Sequence, residues 1–132
     1  MDINFRKGDN LNLSTHFKSS EFECPCGKCT DQHISKDLLD RLESLRIAVG
    51  IPLKITSGYR CEAHNKAVGG VENSSHTKGE AADVTCADLD KLLTEGEKIF
   101  DSIGDGRVNG HFCHFDTRLP KQPGNVKRRW TY

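Results

Sequence analysis

No run of apolar residues in this 132-residue chain approaches the roughly 18 that a membrane-crossing helix needs. Net charge is missing too, because 19 Lys plus Arg balance 19 Asp plus Glu. That balance removes any global field toward nucleic acid or an anionic membrane. Basic and aromatic residues interleave only in the C-terminal tail, so no nucleic-acid partner is expected. The opening residues 1–14 (MDINFRKGDNLNLS) are polar and lack the apolar stretch of a secretory signal. A chain made in the cytoplasm, with no membrane span, is the expectation, and a monomer is the simplest state for it. Repeats, low-complexity segments and linkers are absent as well. Hydrophobic residues at 35% suffice for one modest core, so a single domain over 1–132 is expected.

Cysteine, by contrast, is plentiful: Cys24, Cys26, Cys29, Cys61, Cys86 and Cys113. A reducing cytoplasm argues against disulfides. Cys24, Cys26 and Cys29 crowd into one Pro- and Gly-containing knuckle, and three readings stand. They hold a structural zinc together with His33 or Cys61; or two of the cysteines form a disulfide, Cys61 being one candidate partner; or all are reduced and merely packed. Residues 1–34 would then be an N-terminal arm carrying this knuckle.

Beyond the arm, Ser35 has the chemistry of a helix N-cap, and Leu38, Leu42, Leu45 and Val49 recur at helical spacing, with Leu39 widening the stripe. Gly50 and Pro52 end that helix. The pattern then predicts a strand over Leu53–Thr56, a turn at Ser57–Arg60 and a short helix over Glu62–Val68. A polar loop over Val71–Gly79, a buried strand over Ala81–Thr85 and a helix from Asp88 to about Phe100 follow. Gly104 and Gly106 read as chain breaks, and Phe112–Thr117 as a strand of alternating faces. Pro120 and Pro123 start a tail that ends in an edge strand over 128–132. Helices and short strands without βαβ alternation predict an α+β fold, a small and mostly antiparallel sheet flanked by helices.

The stretch 74–83 (SSHTKGEAAD) places His76 and Asp83 where a loop-to-strand path can bring them together, and the predicted strand at 112–117 offers His114. Imidazole and carboxylate both suit zinc, and two histidines, one carboxylate and a water make a hydrolytic site. Histidines also sit at surfaces or in cores without metal, and these residues alone do not choose between the two. Cys113 reads as a small core residue, His64 as structural, and His16 and His33 as surface residues. Trp130 and Tyr132 read as edge-strand packing, and Lys127-Arg128-Arg129 as a solvated face.

Ser57-Gly58-Tyr59-Arg60, His64-Asn65, Val68-Gly69-Gly70, Ser75-His76-x-x-Gly79-x-Ala81-x-Asp83 and His114-x-Asp116 together resemble the D-Ala-D-Ala carboxypeptidase-like zinc peptidases. That family includes carboxypeptidases, dipeptidases and phage endolysins, and belongs with lysostaphin-type peptidases and the hedgehog domain. The resemblance runs from about Phe17 to the C-terminus. Its Cys-bearing start is typical of the short phage and prophage branch. It implies Zn2+ held by His76, Asp83 and His114, and cleavage of peptide bonds in peptidoglycan stem peptides after release of the protein to the cell wall. It implies that Arg60 binds substrate or stabilises the oxyanion, that Ser75 orients the ligand loop, and that Asp116 supports His114. Many members carry an acidic general base three residues before the last histidine ligand. Here that position is His111, which ranks first as base, ahead of Asp116. The departure leaves room for a non-catalytic wall-binding module or a phage structural component.

Overall fold

A computed structural model of the chain describes residues 2–26, 29–70, 74–117 and 128–132. A ribbon comes first. Strand β1 (Asp2–Arg6) pairs antiparallel with β2 (Asp31–Ser35). The segment between them returns through a single 3-10 turn at Ser19–Phe22. The expected arm over 1–34 therefore holds a two-stranded sheet of its own, with β1 at its start and β2 at its end, running one residue past it. Glu43 fastens this segment to the body: it accepts from Ser14 Oγ (2.6 Å), His16 N (2.6 Å) and the His16 ring (2.7 Å). His16 is thus a surface residue, as expected, and one that bonds Glu43. Burial works to raise the Glu43 carboxyl, and those donors outweigh it and hold it below its ordinary value.

Helix α1 (Lys36–Val49) begins where Ser35 Oγ accepts from Leu38 N and ends at Gly50, whose φ of 79° continues no helix. Its stripe Leu38, Leu39, Leu42, Leu45 and Val49 is buried throughout. Strand β3 (Lys54–Ser57) and the short helix α2 (Glu62–Ala67) follow, then a 3-10 turn at Ser75–Lys78 inside the expected polar loop. Next come β4 (Ala81–Thr85), helix α3 (Leu89–Ile99), β5 (Ser102–Gly106), β6 (Phe112–Asp116) and β7 (Arg128–Thr131). Gly104 and Gly106 do not break the chain; they lie within β5.

The large sheet has the order β3-β4-β6-β5-β7. Its first three pairings are antiparallel and β7 joins β5 in parallel. Alternation along each strand sorts the two faces. Ile55, Ala82, Val84, Ile103, Cys113 and Phe115 point into the core with Leu92, Phe100 and the α1 stripe. Phe100 stacks on Phe115 at 5.0 Å between ring centroids, which seats α3 against β6. Burial pushes the Cys113 thiol up to about 12, in keeping with a core residue. The opposite face carries Ala81, Asp83 and Thr85 on β4, and Phe112, His114 and Asp116 on β6. No helix among the described residues is long and apolar enough to cross a membrane.

Candidate metal centre

One register row crosses all five strands of the large sheet. Ser57 pairs with Asp83, Asp83 with His114, His114 with Gly104, and Gly104 with Trp130. Asp83 and His114 therefore project side by side from neighbouring strands on the face away from the core. His76 reaches the same point from the 3-10 turn. Ser74 caps that turn, its Oγ accepting from His76 N at 3.2 Å and its carbonyl from Thr77 N and Oγ1. Gly79 closes it in the left-handed region (φ 68°), returning its N–H to His76 O. The hydroxyl that orients the loop is thus Ser74's. Ser75 Oγ is buried with no hydrogen-bond partner among the described residues.

His76, Asp83 and His114 each offer one donor atom, and these lie within 4.8 Å of one another. His76 Nε2 is 3.4 Å and His114 Nδ1 2.8 Å from the same Asp83 oxygen, Oδ1. A tetrahedral zinc with bonds of about 2.0–2.1 Å sets its donors about 3.3 Å apart. The other nitrogen of each ring is occupied. His76 Nδ1 donates to Gly58 O at 2.8 Å, and His114 Nε2 to Asp116 Oδ2 at 2.8 Å. The first bond leaves His76 Nε2 as a bare acceptor, and it is buried without a partner among the described residues. A buried orphan nitrogen is costly unless something binds it, and a cation at the Asp83 oxygen would. The donor set therefore fits zinc, with one carboxylate–histidine pair and one carbonyl–histidine pair fixing the rings.

Charge follows the same geometry. Burial works to raise the Asp83 carboxyl, yet the two imidazoles beside it hold it well below the usual carboxylate range. Burial alone would lower the His114 imidazole; hydrogen bonds to Asp116 and Asp83 win and raise it above its ordinary value. A cation held by these residues would take the place of a proton on His114 Nδ1.

The Ser57–Arg60 turn serves the centre through its main chain. Gly58 supplies the carbonyl for His76, and a Cβ there would lie 2.6 Å from Phe22 Cα, so only glycine fits against that backbone. Tyr59 N donates to Phe22 O, and Arg60 N to His76 O. The Arg60 side chain gives Nη1 to Asn65 Oδ1 at 3.2 Å while its Nε is buried without a partner among the described residues.

Trp130 lies on the edge strand β7 and Tyr132 just past it, as edge packing predicts, and both pass close to the metal-binding group. The Trp130 ring lies 5.1 Å from the His114 ring, and Tyr132 lies 6.2 Å beyond it. Burial pushes the Tyr132 hydroxyl up; a bond to Trp130 lowers it, the charges of Asp83 and Asp116 raise it further, and Arg60 lowers it. The signal in the sequence was Gly104: a Cβ there would meet Trp130 and Tyr132 atoms at 2.7 Å, so glycine in mid-strand marks the passage of these rings.

His111 and Asp116 part company. His111 is exposed, stands just before β6 at φ 54°, and its carbonyl accepts from Thr85 Oγ1. Asp116 is buried and bonded to the edge of the His114 ring opposite Nδ1. Of the expected solvated face at 127–129, Arg129 is exposed. Lys127 lies outside the described residues, as do Pro120 and Pro123, while Arg129 donates to the carbonyls of Phe100 and Asp101 at the end of α3.

Residues 15–116 match the Peptidase M15 family. The chain belongs to that family of D-Ala-D-Ala carboxypeptidase-like zinc peptidases. The match spans β2 to β6 and so takes in His76, Asp83, His114 and Arg60. A search of curated proteins finds no match to the chain. This Peptidase M15 member is accordingly a metallopeptidase with a His-Asp-His cluster able to hold its metal.

Proposed function

We propose that the protein hydrolyses peptide bonds in bacterial peptidoglycan stem peptides, as an endolysin or a carboxypeptidase, at a zinc ion held by His76 Nε2, Asp83 Oδ1 and His114 Nδ1. The observation that carries the reading is the pairing of each imidazole's second nitrogen, which leaves the three remaining donors aimed at one point. Three protein ligands leave a fourth tetrahedral position for solvent or substrate. Zinc there supplies Lewis acidity and makes water nucleophilic near neutral pH.

The chain's own groups do the rest. Asp116 holds the His114 ring by Nε2; from that edge it cannot reach solvent at Nδ1, so it positions rather than accepts the proton. His111 is the proposed base. It lies outside the strand, where its ring is free of the alternation that turns Cys113 inward, and a neutral imidazole accepts a proton near neutral pH. Arg60 is held by one bond to Asn65 and keeps donors for a stem-peptide carboxylate or the developing oxyanion. Ser75, in the ligand turn itself, keeps a buried hydroxyl with no partner among the described residues, which a shift of that turn on substrate binding would free. Free carboxylates of stem peptides suit an arginine whose main chain is bonded to the His76 turn.

The test is release of new amino groups from purified peptidoglycan by wild type, His76→Ala and His111→Ala, with zinc per chain measured in each. Wild type should cleave, His76→Ala should lose both metal and activity, and His111→Ala should keep metal while losing about 10²-fold or more in rate. Metal without cleavage of any wall type would overturn the hydrolytic reading.

A further inference from the structure

Away from the His-Asp-His centre, the knuckle and the start of α2 meet. The Sγ atoms of Cys24, Cys26, Cys29 and Cys61 all lie within 4.8 Å of one another. Cys24–Cys61 and Cys26–Cys61 are 3.7 Å apart, and Cys26–Cys29 3.3 Å. A disulfide requires about 2.05 Å. Four thiolates around zinc, with bonds of about 2.3 Å, stand about 3.8 Å from one another. Two main-chain amides already point at these sulfurs: Cys61 N at Cys24 Sγ and His64 N at Cys61 Sγ, both at 3.4 Å. Burial raises the Cys24 thiol above its ordinary value, and the Cys61 amide works against that. His33 is not the fourth member; its ring packs on Tyr59 at 4.9 Å and faces Asp2. Cys86 and Cys113 lie elsewhere, Cys86 bonding Asp88 O and Cys113 in the core.

We propose that Cys24, Cys26, Cys29 and Cys61 bind a second metal ion, a closed tetrathiolate zinc site with no open position and a structural role. Cys61 caps α2 and follows Arg60 directly, while Cys24 follows two residues after Phe22, whose carbonyl and Cα brace Tyr59 and Gly58. The ion would therefore clamp the N-terminal knuckle onto the turn that presents Arg60 and the carbonyl that holds His76. Four thiols give up protons as the ion enters, with no change of oxidation state.

Protein purified without oxidant should carry about two zinc ions per chain and all six cysteines as free thiols after metal removal and denaturation. In His76→Ala, about one ion should remain. Exchange of that ion for cobalt(II) should give intense thiolate-to-metal charge-transfer absorption. Cys29→Ser should lose this absorption, and a Cys29→Ser chain that does not fold leaves the cobalt spectrum of His76→Ala as the deciding measurement. A metal-free His76→Ala with six free thiols would overturn the proposal, as would fewer than six thiols in wild type. The two metal sites fail separately: a wild type with one ion that survives in His76→Ala sinks the catalytic centre alone, and a wild type with one ion that is lost in His76→Ala sinks the tetrathiolate alone.

Discussion

Asp116 sets the charge on His114 from the side of the ring that faces away from Asp83. Asp116→Asn keeps an acceptor for Nε2 but removes the negative charge, and zinc affinity should fall about 10-fold; Asp116→Ala removes both and should approach 100-fold. Competition with a chromogenic chelator measures either, and an unchanged affinity in both would mean that Asp116 does not support a ligand. Gly104 is the second decisive residue. Gly104→Ala puts a methyl group where Trp130 and Tyr132 pass, so the rings must leave His114 or the strand must shift. A loss of about 1–3 kcal/mol is expected, read as a lower urea midpoint, together with a drop in peptidase rate. Residue type and spacing brought His76, Asp83 and His114 together as candidates, because a loop and two strands carry them, but only the family resemblance singled them out as ligands, since histidines also sit in cores without metal. The share of Ser74, Trp130 and Tyr132 was not legible. It depends on which hydroxyl meets an amide and on a cross-strand register, and neither is written in local pattern.

Among the elements, α1 and α3 were plain in the sequence because a buried stripe at helical spacing has few other solutions. Their caps were equally plain. Asp88 accepts from Lys91 N at 3.0 Å at the start of α3. Asp88→Ala should cost about 1 kcal/mol and lower Tm by about 4 °C while leaving zinc content unchanged. A lowered zinc content would mean that the α3 start bears on the metal face, contrary to the packing. The ribbon of β1 and β2 and the strand β5 were hidden for opposite reasons. In β2 the inward residues include the polar Gln32, whose Oε1 accepts from Cys24 N, so no apolar alternation advertises the strand. In β5 the glycines stand beneath aromatic rings from other strands: Gly104 under Trp130 and Tyr132, and Gly106 under Phe112. Residues that read locally as breaks are cavities for distant side chains.

At the scale of the molecule, one face of the sheet stores the core and the other stores charge, and the two respond differently to pH. Without metal, the raised His114 stabilises the fold most at low pH and loses that contribution as pH rises through its folded value. The depressed Asp83 contributes above its ordinary 3.8 and loses that contribution only as pH falls through its lower folded value. The stripped protein should therefore be steadiest in mildly acid solution, above about 3.8 and below the raised His114 value. Zinc reverses the trend, because His114 must shed a proton to bind. The gain in Tm on adding zinc should grow from about pH 5 to about pH 8. Thermal scans of stripped and loaded protein across that range check it, and a gain independent of pH would show that the metal does not displace the His114 proton.

The chain has one tryptophan, and it lies on a ring that is expected to change charge when the metal arrives. An imidazolium quenches indole emission by contact, and a diamagnetic zinc complex of the neutral ring quenches it less. The unlabelled protein thus carries its own fluorescent gauge: emission should brighten as zinc enters, and the same light should track, in real time, a chelator taking it away.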